Sequence, residues 1–149
     1  MRILTSEVTV NRPVDEVFGF FAKAENLNLI TPPELFFIIL TPLPIVMKKG
    51  AIIDYRIKLG GLKFKWKTEI TQWEPPYSFT DTQLKGPYRI WIHEHSFESH
   101  QGKTVVKDKV TYLPPGFIAE PLINSLFVKQ RLENIFDFRR QKISEYFNN

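Results

Sequence analysis

Arg89-Ile90-Trp91-Ile92-His93-Glu94-His95-Ser96-Phe97 is the stretch whose reading decides the fold. As a β-strand it places Trp91, His93, His95 and Phe97 on one face and Ile90, Ile92, Glu94 and Ser96 on the other. Two imidazoles between aromatic rings are core, ligand contacts or chemistry, depending on which face looks inward. The neighbouring strands decide that.

A two-residue turn at Gln101-Gly102 folds Lys103–Leu113 back onto this strand. It pairs Trp91 with Tyr112, His93 with Val110, His95 with Asp108 and Phe97 with Val106. The opposite face receives Glu94 against Lys109 and Glu98 against Val105. A second turn at Gly60-Gly61 pairs Leu59 with Leu62, Ile57 with Phe64, Tyr55 with Trp66 and Ile53 with Thr68. Its other face carries Asp54, Arg56, Lys58, Lys63, Lys65 and Lys67. Both hairpins are greasy on one side and charged on the other, as half-buried antiparallel sheets are. His93, His95 and Asp108 are therefore expected on the inner face with Trp91, Val110 and Tyr112. For the strand Ser78–Leu84 two registers fit. An odd turn at Gly86-Pro87 turns Phe79, Asp81 and Gln83 inward, and an even one turns Thr80 and Thr82 inward.

Outward from these hairpins, Ile3–Val10 reads as a first strand, followed by a short helix opening at Asn11-Arg12-Pro13 with Val14, Val17, Phe18 and Phe21 as its apolar stripe. A second short helix is expected over Glu25–Ile30, stopped by Pro32-Pro33. Leu35–Leu40 is the longest apolar run, and it reads either as a buried strand (about Leu35–Thr41) or as a cavity rim. Strands over Ala51–Leu59 and Leu62–Trp73 follow. After Pro114-Pro115-Gly116 the period becomes helical, with Leu122, Leu126, Leu132, Ile135, Phe136, Ile143 and Phe147 along one side of a helix from about Glu120 to Phe147. At ~1.5 Å per residue it is roughly 40 Å long, enough to cross a sheet.

The chain has 149 residues, no cysteine, 13 Phe and a net charge of +4. One domain over 1–149 is expected, large enough for a real core. Without cysteine, disulfides, thiolate catalysis and thiolate-bound zinc are excluded. No secretory h-region and no run approaching ~20 apolar residues is present, so the expectation is a cytoplasmic protein with no stable membrane insertion. Walker loops, dinucleotide glycine fingerprints, nucleophile elbows and HExxH helices are also absent.

The chain resembles the START-like or SRPBCC superfamily, and more narrowly its bacterial ligand-binding members, some fused elsewhere to sugar-nucleotide epimerase-like domains and often labelled cell-division-inhibitor-like. The segments that carry the resemblance are Arg12-Pro13-x-x-x-Val17-Phe18 and Trp66-x-x-x-Ile70-x-x-Trp73-x-Pro75-Pro76, then Phe79-x-Asp81-x-Gln83-x-x-Gly86-Pro87-Tyr88-x-x-Trp91-x-His93-x-His95-x-Phe97. Asp108-x-Val110-x-Tyr112 and Phe136-x-x-Arg139 extend it. The first helix in that group commonly follows Ala-Pro, where this chain has Arg12-Pro13. The resemblance implies an α+β helix-grip fold: a curved antiparallel sheet of about seven strands wrapped on the long C-terminal helix, with two short helices after the first strand. It also implies an internal cavity for a hydrophobic ligand, and it leaves open whether a reaction follows, since polyketide cyclases and plain carriers share the fold.

Candidate ligand-binding residues are Tyr55, Phe64, Trp66, Phe79, Asp81, Gln83, Arg89, Trp91, His93, His95, Asp108 and Tyr112. Arg89 is expected at the cavity mouth, facing an anionic group of a ligand or pairing with an acid such as Asp81. If there is catalysis, His93, His95 and Asp108 carry it. Three alternatives stand for the histidines: a satisfied buried network in which Asp108 fixes the tautomer of His95 with Tyr112 nearby, polar ligand contacts, or acid–base groups. No metal or cofactor is expected, because a third protein ligand beside the two histidines has only Asp108 or the unplaced Asp81 to draw on. Arg139 and Arg140 read as cations complementing the C-terminal dipole of the long helix. The basic sheet face lacks aromatic platforms for bases, so no nucleic-acid partner is expected. Binding, and in an extended reading transport, of an apolar or aromatic small molecule is the first functional expectation. A cyclase, dehydratase or hydrolase is the second, and a regulatory module using the basic face is the third.

Overall fold

The computed structural model describes residues 1–148. Strand β1 (Arg2–Val10) leads into helix α1 (Val14–Phe21), then into 3-10 turns at Ala24–Ile30 and Pro33–Leu35. Strands β2 (Ile38–Ile39), β3 (Ile52–Leu59), β4 (Leu62–Glu74), β5 (Ser78–Lys85), β6 (Ile90–His100) and β7 (Lys103–Leu113) follow. A short 3-10 turn and α2 (Glu120–Ile123) run through a π-helical turn (Asn124–Val128) into α3 (Lys129–Asn148). The seven strands form one antiparallel sheet in the order β1-β7-β6-β5-β4-β3-β2. This is the helix-grip α+β architecture.

Both hairpin registers read from the sequence are present, Tyr55 opposite Trp66 and His95 opposite Asp108 among them. Gly60 and Gly61 both have positive φ, which a two-residue turn between twisted strands demands and a glycine supplies without strain. Phe79 lies opposite His95 and Asp81 opposite His93, so β5 takes the odd-turn register and turns Phe79 and Asp81 inward. On β4 a bulge at Thr71, between the pairs Ile70–Asp81 and Gln72–Thr80, reverses the side-chain parity. Thr68 and Ile70 point inward before it, and Trp73 after it packs on Phe18 and Phe79 at 5.2 and 5.5 Å.

Three local expectations are corrected. Pro13 is the N-cap of α1, one place before the first turn. The strand expected over Leu35–Thr41 shrinks to Ile38–Ile39, because a 3-10 turn ends on Phe36 with φ 46°, which breaks the extended run. Leu122 and Leu126 are exposed, whereas Leu132, Phe136, Ile143 and Phe147 are buried. The π turn at Asn124–Val128, with its wider i→i+5 spacing, interrupts the 3.6-residue period, so no single stripe runs from Leu122 to Phe147.

The core has two apolar clusters. One gathers around α1 and the end of α3 (Phe18, Phe21, Phe97, Val106, Ile143), and the other around the start of α3 (Trp66, Trp91, Val110, Leu132, Phe136). Between them every facing element carries a polar residue: Asp81 on β5, His93 and His95 on β6, Asp108 on β7 and Arg139 on α3.

Candidate functional site

β6 runs Phe97, His95, His93, Trp91 along its inner face, β7 runs Val106, Asp108, Val110, and α3 runs Ile143, Arg139, Phe136. Period 2 on the strands and i, i+3, i+4 steps on the helix thus align one polar belt across sheet and helix. His93, His95, Asp108 and Arg139 are all buried. Burying charges costs several kcal/mol per ion unless they are paired, and here the pairing is dense. Arg139 donates from Nε to Asp108 Oδ2 and from Nη2 to Asp108 Oδ1, both at 3.1 Å, a bidentate clasp. His93 Nε2 lies 2.7 Å from Asp108 Oδ1, and His95 Nε2 lies 2.5 Å from Asp81 Oδ2. An ionised carboxylate only accepts, so each of these Nε2 atoms carries the proton and donates.

The hydrogen bonds differ from the arrangement expected. Asp108 bonds the diagonal neighbour His93, while the directly opposite His95 takes Asp81 and keeps its Nδ1 3.4 Å from Asp108. Side chains leaning along their strands make such diagonal contacts. Tyr112 turns away and donates to Asn124 Oδ1 at 3.1 Å.

Two carboxylates face one guanidinium, an excess of negative charge that favours protonation of His95, whose Nδ1 lies 3.4 Å from both Asp108 Oδ1 and Arg139 Nη2. Burial works against charge on His95, but its bonds to Asp108 and Asp81 outweigh that and hold its pKa above the ordinary value. Burial and the neighbouring His95 push His93 down, against the pull of Asp108. Asp81 and Asp108 stay ionised: burial opposes charge on both, but His95 chiefly on the first and Arg139 chiefly on the second bring them below the usual range. The two imidazoles stack 3.7 Å apart and His95 stacks on Phe79 at 4.1 Å, so both rings are held in plane. His93 is thus neutral with its Nδ1 lone pair 3.8 Å from Asp81, beyond hydrogen-bond range. Two histidines with oppositely shifted pKa values stand side by side.

This belt forms part of the wall of a cavity between sheet and helix, with about 170 Å³ open to the centre of a water-sized sphere. One water needs roughly 10–15 Å³ by that measure, so the space suits a small organic molecule. Tyr55, Trp66, Phe79, Trp91 and Phe136 supply its aromatic wall, and Asp81, His93, His95 and Arg139 its polar part. Trp66 Nε1 is, among the described residues, the one buried side-chain polar atom without a hydrogen-bond partner. Burial and the charge of Asp81 raise the pKa of Tyr55 well above its ordinary value, so its hydroxyl stays protonated.

Of the twelve residues singled out from the sequence, Tyr55, Trp66, Phe79, Asp81, Trp91, His93 and His95 line the cavity. Asp108 stands behind the histidines as their partner. Phe64 packs beside the second core cluster outside the wall. Gln83 is tied up in the turn, donating to Tyr88 O at 2.7 Å and accepting from Tyr88 N–H at 3.3 Å. Arg89 is exposed, its guanidinium 4.1 Å from the Phe117 ring, and meets neither the cavity nor Asp81. Arg139 is the residue that the sequence reading missed. The signal was its place at i+3 from Phe136 and i−4 from Ile143, squarely on the buried stripe.

Asp81, His93 and His95 present three ligand-type atoms within 4.8 Å of one another. At 2.5 Å, however, Asp81 and His95 are spaced as the two ends of a proton-bearing hydrogen bond. Ligands about 2.0–2.2 Å from a tetrahedral metal stand farther apart than that. The trio is arranged to hold protons.

A sheet gripping a long helix over a largely apolar cavity is the architecture of the helix-grip class. The chain belongs to the polyketide cyclase/dehydrase and lipid transport family, whose model matches residues 10–138. Solved structures share the fold. The Zhui aromatase/cyclase from Streptomyces sp. R1128 is 16% identical with a TM-score of 0.70, over 95% of this chain and 90% of that one. A START superfamily protein from Mycobacterium smegmatis is 11% identical with a TM-score of 0.69, over 95% and 96%. A nucleoside-diphosphate sugar epimerase from Corynebacterium glutamicum is 21% identical with a TM-score of 0.66, over 95% of this chain but 28% of that longer one. No curated protein matches by sequence.

Proposed function

We propose that the chain binds, in the cytoplasm, a small apolar or aromatic molecule bearing at least one hydrogen-bond acceptor, in the cavity between sheet and α3. The observation that carries this reading is the composition of the wall: apolar over most of its extent, from aliphatic and aromatic side chains together, with one charged belt and one unsatisfied indole N–H. An apolar ligand body fills the apolar part, and its acceptor meets Trp66 Nε1. Few, fixed polar groups in an apolar pocket are how small-molecule sites set orientation. Transport is the corresponding role if the ligand exchanges between compartments.

Native mass spectrometry of the freshly purified protein, followed by denaturing extraction, tests this. A stoichiometric organic adduct is expected, and it is expected to vanish in Thr68→Phe, which fills the cavity from β4. An adduct that persists unchanged in Thr68→Phe sinks the cavity reading.

A second reading is favoured by the split titration of the two histidines. A histidine whose pKa is raised beside one whose pKa is lowered, both on a cavity wall, is the split environment that sets acid and base apart in proton-transfer enzymes. With the extracted compound in hand, His95→Ala separates the two. A binder loses affinity by at most a few kcal/mol, whereas an acid–base catalyst loses ~10²–10⁴ in rate with affinity kept.

A further inference from the structure

The surface over the Leu35, Ile57 and Ile135 end of the cavity reverses the usual distribution of residues. Phe36, Ile38, Leu126 and Phe127 are all half or more exposed. They lie together along two adjoining surface grooves that share Phe36 and Lys58. Phe36 stands at φ 46°, a left-handed backbone that a bulky side chain rarely takes and that persists only where its surroundings impose it. Leu126 and Phe127 both belong to the π turn that joins α2 to α3. Soluble proteins seldom leave such clusters of apolar tips open to water without a partner for them.

Charge identifies the partner. Arg56, Lys58, Lys63 and Arg131 line the same two grooves, against a single acid, Glu34. Across β3 and β4, Lys58 sits directly opposite Lys63, and Arg56 opposite Lys65. Like charges paired across strands repel. Among the described residues no carboxylate comes within ion-pair distance of any of these four. A surface of this sign opposes docking of a second identical copy, since a two-fold contact brings each cationic patch against itself. Projecting apolar tips ringed by cations suit an anionic lipid surface, where the tips enter the acyl boundary and the cations meet headgroup phosphates and carboxylates.

The position gives this surface a use. Leu35 and Ile135 line both the outer groove and the inner cavity, and Ile57 lines the cavity and the adjoining groove. One layer of aliphatic side chains therefore separates the exposed patch from the ligand space. We infer that the Phe36–Leu126–Phe127 surface docks the protein, mouth down, on anionic bilayers. The docking stands on the surface alone. Its purpose, passing an apolar ligand between bilayer and cavity without crossing water, rests on the reading under Proposed function.

Co-sedimentation of the full chain with phosphatidylcholine vesicles, containing or lacking phosphatidylserine, tests the inference. Binding to the phosphatidylserine vesicles is expected, and it should weaken sharply when salt is raised from about 0.1 to about 1 M, which shortens the screening length from about 10 to about 3 Å. Leu126→Ser with Phe127→Ser should abolish it. Lys58→Gln with Arg131→Gln, which leaves the apolar tips in place, should lower vesicle partitioning roughly 30-fold. Ile3→Ser, on the far edge strand, should bind as the parent does. Absence of phosphatidylserine-dependent binding overturns the inference, as does binding that ignores both double variants. A parent protein that is dimeric in solution, and becomes monomeric in Leu126→Ser with Phe127→Ser, also overturns it and assigns the patch to self-association. Thr68→Phe keeps the two readings apart: it should still bind vesicles, whatever becomes of the extracted ligand.

Discussion

The polar belt and the mouth surface lie on opposite sides of the same cavity wall and invert each other. In the belt, five ionisable groups sit inside the protein, held by hydrogen bonds of 2.5–3.1 Å. At the mouth, four large apolar side chains sit in water with cations around them. A chain selected for stability alone does neither, because apolar isosteres in the belt and polar residues at the rim are at least as favourable to folding. The contrast teaches where the molecule holds arrangements that folding does not require. Substitutions in the two regions should therefore have opposite signatures.

The largest effect is expected from Arg139→Met. It removes the cation that clasps Asp108 while leaving that carboxylate buried, and breaking such a pair typically costs about 3–5 kcal/mol. Urea denaturation measures it. Adding Asp108→Asn to Arg139→Met removes the stranded charge and should recover part of the loss. If Arg139→Met unfolds at the parent's urea midpoint, the belt is not the tightly coupled unit described here, and the comparison fails on its interior side.

A smaller effect is expected with pH. The folded pKa of His95 is raised, so its contribution is fully present below the unfolded value of about 6.5 and is lost as pH climbs through the folded value. His93 is lowered, so the unfolded chain gains a proton first as pH falls below about 6.5, and stability declines on that side too. Urea midpoints should peak between the two limbs. His95→Gln should flatten the alkaline limb and shrink the acid limb without abolishing it, because burial still depresses His93 once the neighbouring charge is gone. Imidazole NMR signals offer a direct check: His95 is expected to deprotonate above, and His93 below, the ordinary histidine value. Identical titrations of the two rings would refute the assignment of the proton to His95.

Most of the sheet was legible because its signals are local. Gly60-Gly61 and Gln101-Gly102 fix two hairpins, and charge segregation then fixes which face is inside, which placed His93, His95 and Asp108 correctly. What escaped depends on contacts between distant segments or on breaks in periodicity. The diagonal bond of Asp108 to His93 comes from side-chain lean, which register does not encode. Leu122 and Leu126 stand exposed where a π turn interrupts the helix, so a single period of 3.6 cannot be carried through Asn124–Val128. Arg139 was misplaced by its charge, although its spacing from Phe136 and Ile143 already put it on the buried stripe. Phe136-x-x-Arg139 also stood among the segments that carry the family resemblance. In that case pattern outranked residue type, because Asp108 on a strand 31 positions away supplies the compensating charge.

The smallest effect on folding is expected at the mouth, and its smallness is the informative part. Phe127 contributes little to the packed interior, with most of its surface already in water. Phe127→Ser should therefore change unfolding free energy by no more than about 0.5 kcal/mol, as exposed substitutions usually do. The residue that replaces Phe36 acts through the backbone as well. Phe36→Gly relieves the left-handed conformation at φ 46°, so the folded state gains where a side chain was strained, while the freer unfolded chain offsets part of that gain. A parent-like or slightly higher midpoint for Phe36→Gly, measured beside Phe127→Ser, would mean that the mouth holds its aromatic tips outward at no benefit to the fold. A loss of several kcal/mol in either variant would make the mouth an ordinary part of the core and erase the inversion between the two sides of the cavity wall.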